Sequence, residues 1–126
     1  MKNILNFVVV ERYTYPKKAF LGFFPENSIR DTSKLFENLA KTLDFPDYFG
    51  QNWDALLDCL SDFDWIEDKQ IILVHQHLPN LDDDELRCYL EVLSDAVSRW
   101  EERGIRDKLL ILFDEVCREK IEQLMV

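Results

Sequence analysis

Two unbroken apolar runs, Ile71-Ile-Leu-Val74 and Leu109-Leu-Ile-Leu-Phe113, lie on either side of a long segment with helical periodicity. A strand that alternates apolar and polar residues can leave one face in water. A strand that is apolar at every position must be covered on both. Two such strands joined by a helix over about 83–103 form a strand–helix–strand unit. Its strands are parallel and its crossover right-handed.

The remaining segments extend that unit. Extended runs are expected at Ile4–Val10 and Phe20–Phe24, and strands at Gln70–His75 and Lys108–Phe113. Leu35, Leu39 and Leu43 recur at i, i+4 and i+8, which predicts a helix over Ser33–Leu43. Asp44-Phe-Pro-Asp-Tyr-Phe-Gly50 reads as a loop from its Pro and Gly. A second helix is expected over Trp53–Asp62, with Asn52 as its N-cap. The longest helix, Asp83–Arg103, opens on the capping pair Asp82 and Glu85 and stops at Gly104. Glu115–Leu124 reads as a short closing helix. The predicted fold is α/β: a three-stranded parallel sheet with crossover helices, the N-terminal run added at an edge, and a short C-terminal helix. A length of 126 residues without repeat or linker predicts a single domain over 1–126.

Charge narrows the function classes. The net charge of −10 disfavours nucleic acid and anionic membrane surfaces as partners, and suits a cationic one. The acidity is also local. Residues 42–68 carry eight acids (Asp44, Asp47, Asp54, Asp58, Asp62, Asp64, Glu67 and Asp68) and no Lys or Arg. Phe45, Tyr48, Phe49, Trp53, Phe63 and Trp65 share that stretch. Met1-Lys2 leads into a short apolar run broken by Asn6 and ended by Glu11-Arg12, which is no secretory signal. With Cys59, Cys88 and Cys117 widely spaced and no C-x-x-C pair, the expectation is a cytoplasmic protein with reduced thiols.

Within the acidic stretch, Trp53, Leu56, Leu57, Leu60 and Phe63 gather on one side of the predicted helix. Asp54, Asp58 and Asp62 stand at i, i+4 and i+8 on the other. Like charges at this spacing cost about 0.2–0.5 kcal/mol per pair. Asp62 would also sit at the negative end of the helix dipole. A sequence selected for stability alone would interleave bases here. One reading is a solvated face kept for solubility; the other is a surface made for a cationic partner. The missing bases, the aromatic loop beside the helix and the local cost favour the second.

The run Pro46-Asp-Tyr-Phe-Gly-Gln-Asn-Trp-Asp-Ala-Leu-Leu-Asp-Cys-Leu60 resembles the barstar family of ribonuclease inhibitors. The similarity extends more loosely over about 19–115, leaving an extension at each end. It implies an immunity protein that plugs the active site of a basic ribonuclease or nuclease toxin with this loop and helix. The resemblance makes Asp58 the carboxylate standing in for the substrate phosphate, with Asp54 as a second acidic contact and Tyr48 as the aromatic one. Gly50 and Asn52 shape the turn, flanked by Phe49 and Gln51, and Phe63 occupies an aromatic position of the family. Leu57, Asp62 and Phe63 complete the expected partner-binding set. Three positions depart from the family's pattern: Leu57 replaces an interfacial Trp, Arg99 stands where an acid is usual late in the long helix, and Trp53 replaces a smaller apolar residue. They fit a nuclease unlike the family's usual target. The free protein is expected to be a monomer.

Other chemistries are less well served. His75-Gln-His77 puts two imidazoles on one predicted strand face without a third metal ligand in view. Asp82-Asp-Asp-Glu85 lacks the spacing and central Gly of a calcium loop and suits a helix N-terminus. No signature marks a Cys–His nucleophile. Asp54 and Asp58, one turn apart on an exposed face, lack the apolar pocket a hydrolase needs to raise one carboxyl pKa. Neither an enzyme nor a cofactor is expected. The competing reading is an acidic interaction module on the same fold with a partner that is no nuclease.

Overall fold

The computed structural model describes residues 2–24 and 29–125. Its sheet contains β1 (Phe7–Val8), β2 (Phe20–Phe24), β3 (Ile71–His75) and β4 (Leu109–Asp114), all parallel, in the order β1-β4-β3-β2. Helices α1 (Thr32–Thr42) and α2 (Trp53–Leu60) lead from β2 to β3, α3 (Asp83–Glu102) from β3 to β4, and α4 (Arg118–Leu124) follows β4. The α/β class, the parallel sheet with its N-terminal edge strand and the closing helix are as the sequence predicts.

The apolar runs explain why the central strands lie where they do. Every residue of β3 is buried, and the two-residue period of the strand divides it between two cores. Ile71 and Leu73 join Leu109, Ile111 and Phe113 beneath the helices. Ile72, Val74 and Leu112 face the other way, against Val10, Tyr13, Tyr15 and Ala19. The residues before β2 therefore cover the outer face of the sheet.

The N-terminal run is shorter as a strand than its apolar residues suggest. Only Phe7 and Val8 pair with β4, opposite Phe113 and Asp114. Asn6 commits its side-chain amide to the Ile111 carbonyl and its own carbonyl to the Phe113 N–H, both at 2.9 Å. Beyond Val8, the Val10 N–H donates to Asp114 Oδ1 at 3.0 Å and opens a 3-10 turn. That turn carries the chain off the edge and over the outer face.

Helix ends follow their cap chemistry. Asp82 Oδ1 accepts the Glu85 N–H at 2.8 Å. At the other end of α3, Gly104 takes φ +78°, and the Ile105 N–H reaches back to the Trp100 carbonyl at 3.0 Å. Asp44 does the same for α1 at φ +54°, with the Phe45 N–H on the Ala40 carbonyl at 2.9 Å.

His75 and His77 do not share a face. His75 closes β3 fully buried, stacked on Phe113 at 4.6 Å between centroids, while His77 lies past the strand end and is exposed. Nδ1 of His75 donates to the Leu112 carbonyl (3.1 Å), so Nε2 accepts from the Tyr89 hydroxyl (2.6 Å). Burial drives the His75 pKa down to about 4, against a smaller upward effect of the Leu112 carbonyl.

Candidate functional site

The acidic stretch folds into a loop over 44–52 followed by α2. Asn52, extended at φ −142°, caps the helix as predicted: its Oδ1 accepts the Ala55 N–H at 2.8 Å. Such a cap is worth about 1 kcal/mol. Its Nδ2 reaches back to the Gly50 carbonyl at 3.2 Å, fastening loop to helix. The residue that turns the chain is Gln51, at φ +50°, rather than Gly50, whose φ is negative. A Cβ at Gly50 would meet nothing closer than 3.4 Å, so the turn does not require a glycine there.

Five of the six aromatics in the stretch point inward. Phe49 meets Phe45 edge-on at 4.9 Å between centroids, Trp53 meets Phe36 at 5.0 Å, and Trp65 lies 5.5 Å from Phe63 and 5.9 Å from Phe45. Trp65 Nε1 donates to the Leu43 carbonyl at 3.0 Å, tying the turn after α2 to the end of α1. Edge-to-face pairs contribute about 0.5–1.5 kcal/mol each beyond the area they bury. The cluster is thus a rigid footing, and only Tyr48, 70% exposed, faces solvent from it. Phe63 is 1% exposed, with φ +55° turning its ring into the core. It offers no surface to a partner, which corrects its place among the expected contacts. Phe49 and Leu57 are half-buried against the same core.

Asp54 and Asp58 project from α2 into solvent, Asp58 with 77% of its side chain exposed. Asp62 is not a third residue of that helical row. The helix ends at Leu60, where the buried Ser61 donates its hydroxyl to the Leu57 carbonyl at 2.7 Å, and Asp62 lies half-buried in the turn beyond. The Tyr48 hydroxyl donates to Asp62 Oδ2 at 3.4 Å. Partial desolvation and then the Asp62 charge raise the Tyr48 pKa, so the phenol stays protonated. A hydrogen bond shared with Asp62 raises the Asp64 carboxyl. Tyr48, Phe49, Ala55, Asp58, Cys59 and Asp62 surround a recess of about 140 Å³.

The bases missing from this sequence segment are supplied in space by α3. Arg99 Nη1 lies 3.5 Å from Asp58 Oδ1. The Trp100 indole donates to the Leu60 carbonyl at 2.8 Å, and the Arg103 guanidinium donates to the Ser61 carbonyl while lying over the Trp100 ring. Cations thereby meet the negative end of the α2 dipole. Arg99 and Arg103 are one turn apart with the buried Trp100 between them, but the sequence gives no sign that this end of α3 crosses the end of α2.

The thiol that borders the recess is held protonated. Burial, then Asp62 and Asp58, push the Cys59 thiol up to about 11, the opposite of what a nucleophile needs. Cys59, Cys88 and Cys117 are free thiols. Among the described residues no group of three or more His, Cys, Asp or Glu could hold a metal ion, and no helix is long and apolar enough to cross a membrane.

Comparison with known proteins points to one family. The profile of the family described as "Barstar (barnase inhibitor)" matches residues 26–119. A Bacillus subtilis (strain 168) protein named "Putative ribonuclease inhibitor YrdF" is 52% identical over 33 residues, which are 26% of this chain and 34% of that protein.

Proposed function

Because the chain belongs to the barstar family, we propose that it binds a basic ribonuclease of the toxin class and blocks its active site with the 48–52 loop and the exposed face of α2. The observation that carries this reading is the exposed carboxylate pair of Asp54 and Asp58, set beside exposed Tyr48 on an aromatic footing. A cleft that holds RNA is lined with cations. A carboxylate fixed among them makes charge-assisted hydrogen bonds, which are roughly twice as strong as neutral ones.

Asp58 takes the place of a phosphate, Asp54 meets a second cation, and Tyr48 covers a ring or guanidinium. Gly50, Gln51 and Asn52 present the loop backbone, and Asp62 contributes charge from the rim. The loop is fastened to the helix and both to the core, which limits the entropy lost in ordering them. Acidic steering brings the partner in quickly and makes association sensitive to salt. In this account the protein acts as an immunity protein, a monomer when free, in the compartment where the nuclease would otherwise cleave cellular RNA.

The full chain used as bait tests the reading. The retained protein should cleave RNA and lose that activity as the full chain is added back to a 1:1 ratio. Retained proteins without ribonuclease activity would favour the interaction-module reading instead. Leu57→Ala separates packing from contact: because Leu57 is half-buried, the variant should lose about 1–3 kcal/mol of stability. Its inhibition constant should stay within about twofold of wild type, because the cost falls on the core. Weaker inhibition at an unchanged melting temperature would make Leu57 an interface residue.

A further inference from the structure

The Arg99–Asp58 pair places a cation within the surface that the proposed function offers to a cationic cleft. Its worth to the fold is small. With 43% of Arg99 and 77% of Asp58 exposed, water and salt screen the pair. The backbone that carries Arg99 is nonetheless held against α2. Trp100 and Arg103, the next residue and the next turn of α3, hold the end of α2 through the Leu60 and Ser61 carbonyls. Arg99 cannot leave Asp58 by a shift of α3 without breaking both bonds.

A docking partner therefore meets a bipolar patch, with Asp58 negative and the Arg99 guanidinium positive beside it. A cleft that offers only cations here gains at Asp58 and is repelled by Arg99. That repulsion grows as docking excludes water from around the two cations. A cleft that carries a carboxylate next to its cations satisfies both charges.

We propose that Arg99 is a specificity-determining residue of the docking surface, selecting ribonucleases whose cationic cleft bears an acidic group beside the cations that meet Asp58. The proposal rests on the functional reading above and adds the kind of partner it fits. Specificity of this sort is a difference between two affinities, produced as much by repelling the wrong partner as by attracting the right one.

The test compares wild type, Arg99→Gln and Arg99→Glu against the ribonuclease that co-purifies with the full chain. Arg99→Glu should weaken inhibition at least tenfold and Arg99→Gln should fall between, and because the side chain is exposed all three proteins should melt alike. Inhibition by Arg99→Glu equal to or tighter than that of wild type would overturn the selection role while leaving the inhibitor reading intact. Failure of wild type to inhibit the co-purifying enzyme would overturn both.

Discussion

Replacing Asp58 with Ala is expected to raise the inhibition constant by two to nearly four decades while leaving the folded state within about 1 kcal/mol of wild type. The two effects separate because the carboxylate has different surroundings in the two states. In the free protein it stands 77% exposed, with one ion pair to Arg99. Losing that pair costs little. Relief of like-charge repulsion from Asp54, and of the unfavourable placement of an acid in the last turn of α2, offsets the loss. In the proposed complex the same carboxylate is desolvated among the partner's cations. Deleting it leaves those cations buried without a counter-charge, a penalty of about 3–5 kcal/mol. At 1.4 kcal/mol per decade this gives the stated range. Inhibition assays and thermal melts on the same preparations check it. Asp58→Ala and Asp54→Ala variants that both inhibit like wild type would remove α2 from the account.

The second large effect concerns stability and lies in the core. His75 is neutral when folded, with a pKa near 4 caused by its burial, against about 6.5 when unfolded. Between these values the unfolded chain binds a proton that the folded chain does not, so stability falls as pH falls. The contribution is fully present above about pH 6.5 and is lost progressively towards pH 4. At 1.36 kcal/mol per pH unit the total is about 3 kcal/mol. Acid acts on the rest of the protein as well, so the readout is a difference. Urea unfolding at pH 7 and pH 4.5 should show wild type losing about 2 to 3 kcal/mol more than His75→Gln. The amide of Gln retains a donor and an acceptor for Leu112 and Tyr89 without the titration. Parallel losses in the two proteins would show that His75 is not the group that senses acid.

Much of this was legible in the sequence because it is written in short-range patterns. The unbroken runs at Ile71–Val74 and Leu109–Phe113 specify central strands, Asn52 and Asp82 specify helix starts, and Gly104 a stop. The exposure of Asp54 and Asp58 follows from the helical period alone. What periodicity could not reach was any feature set by distant partners or by a change of direction. Asp62 continues the i, i+4, i+8 spacing on paper, but Ser61 and the positive φ of Phe63 end the helix first. The aromatic loop reads as part of a contact surface, whereas Phe45 and Phe49 pack on each other, Phe49 also on Phe36, and Tyr48 alone of the three stays exposed. Arg99 is 41 positions from Asp58 in the chain and 3.5 Å from it in the fold. Nor did the segment around Tyr13 and Tyr15 announce itself as the cover of the sheet's outer face, because its apolar residues follow neither a helical nor a strand period.

The central claim is that the acidic face of α2 occupies the place of RNA. Initial rates of RNA cleavage by the co-purifying ribonuclease, measured over a range of RNA concentrations at fixed amounts of the full chain, test it most directly. If α2 fills the catalytic cleft, the apparent inhibition constant rises linearly with RNA concentration and the maximal rate is unchanged. An apparent inhibition constant independent of RNA concentration, with a reduced maximal rate, would place the protein elsewhere on the enzyme and contradict the account.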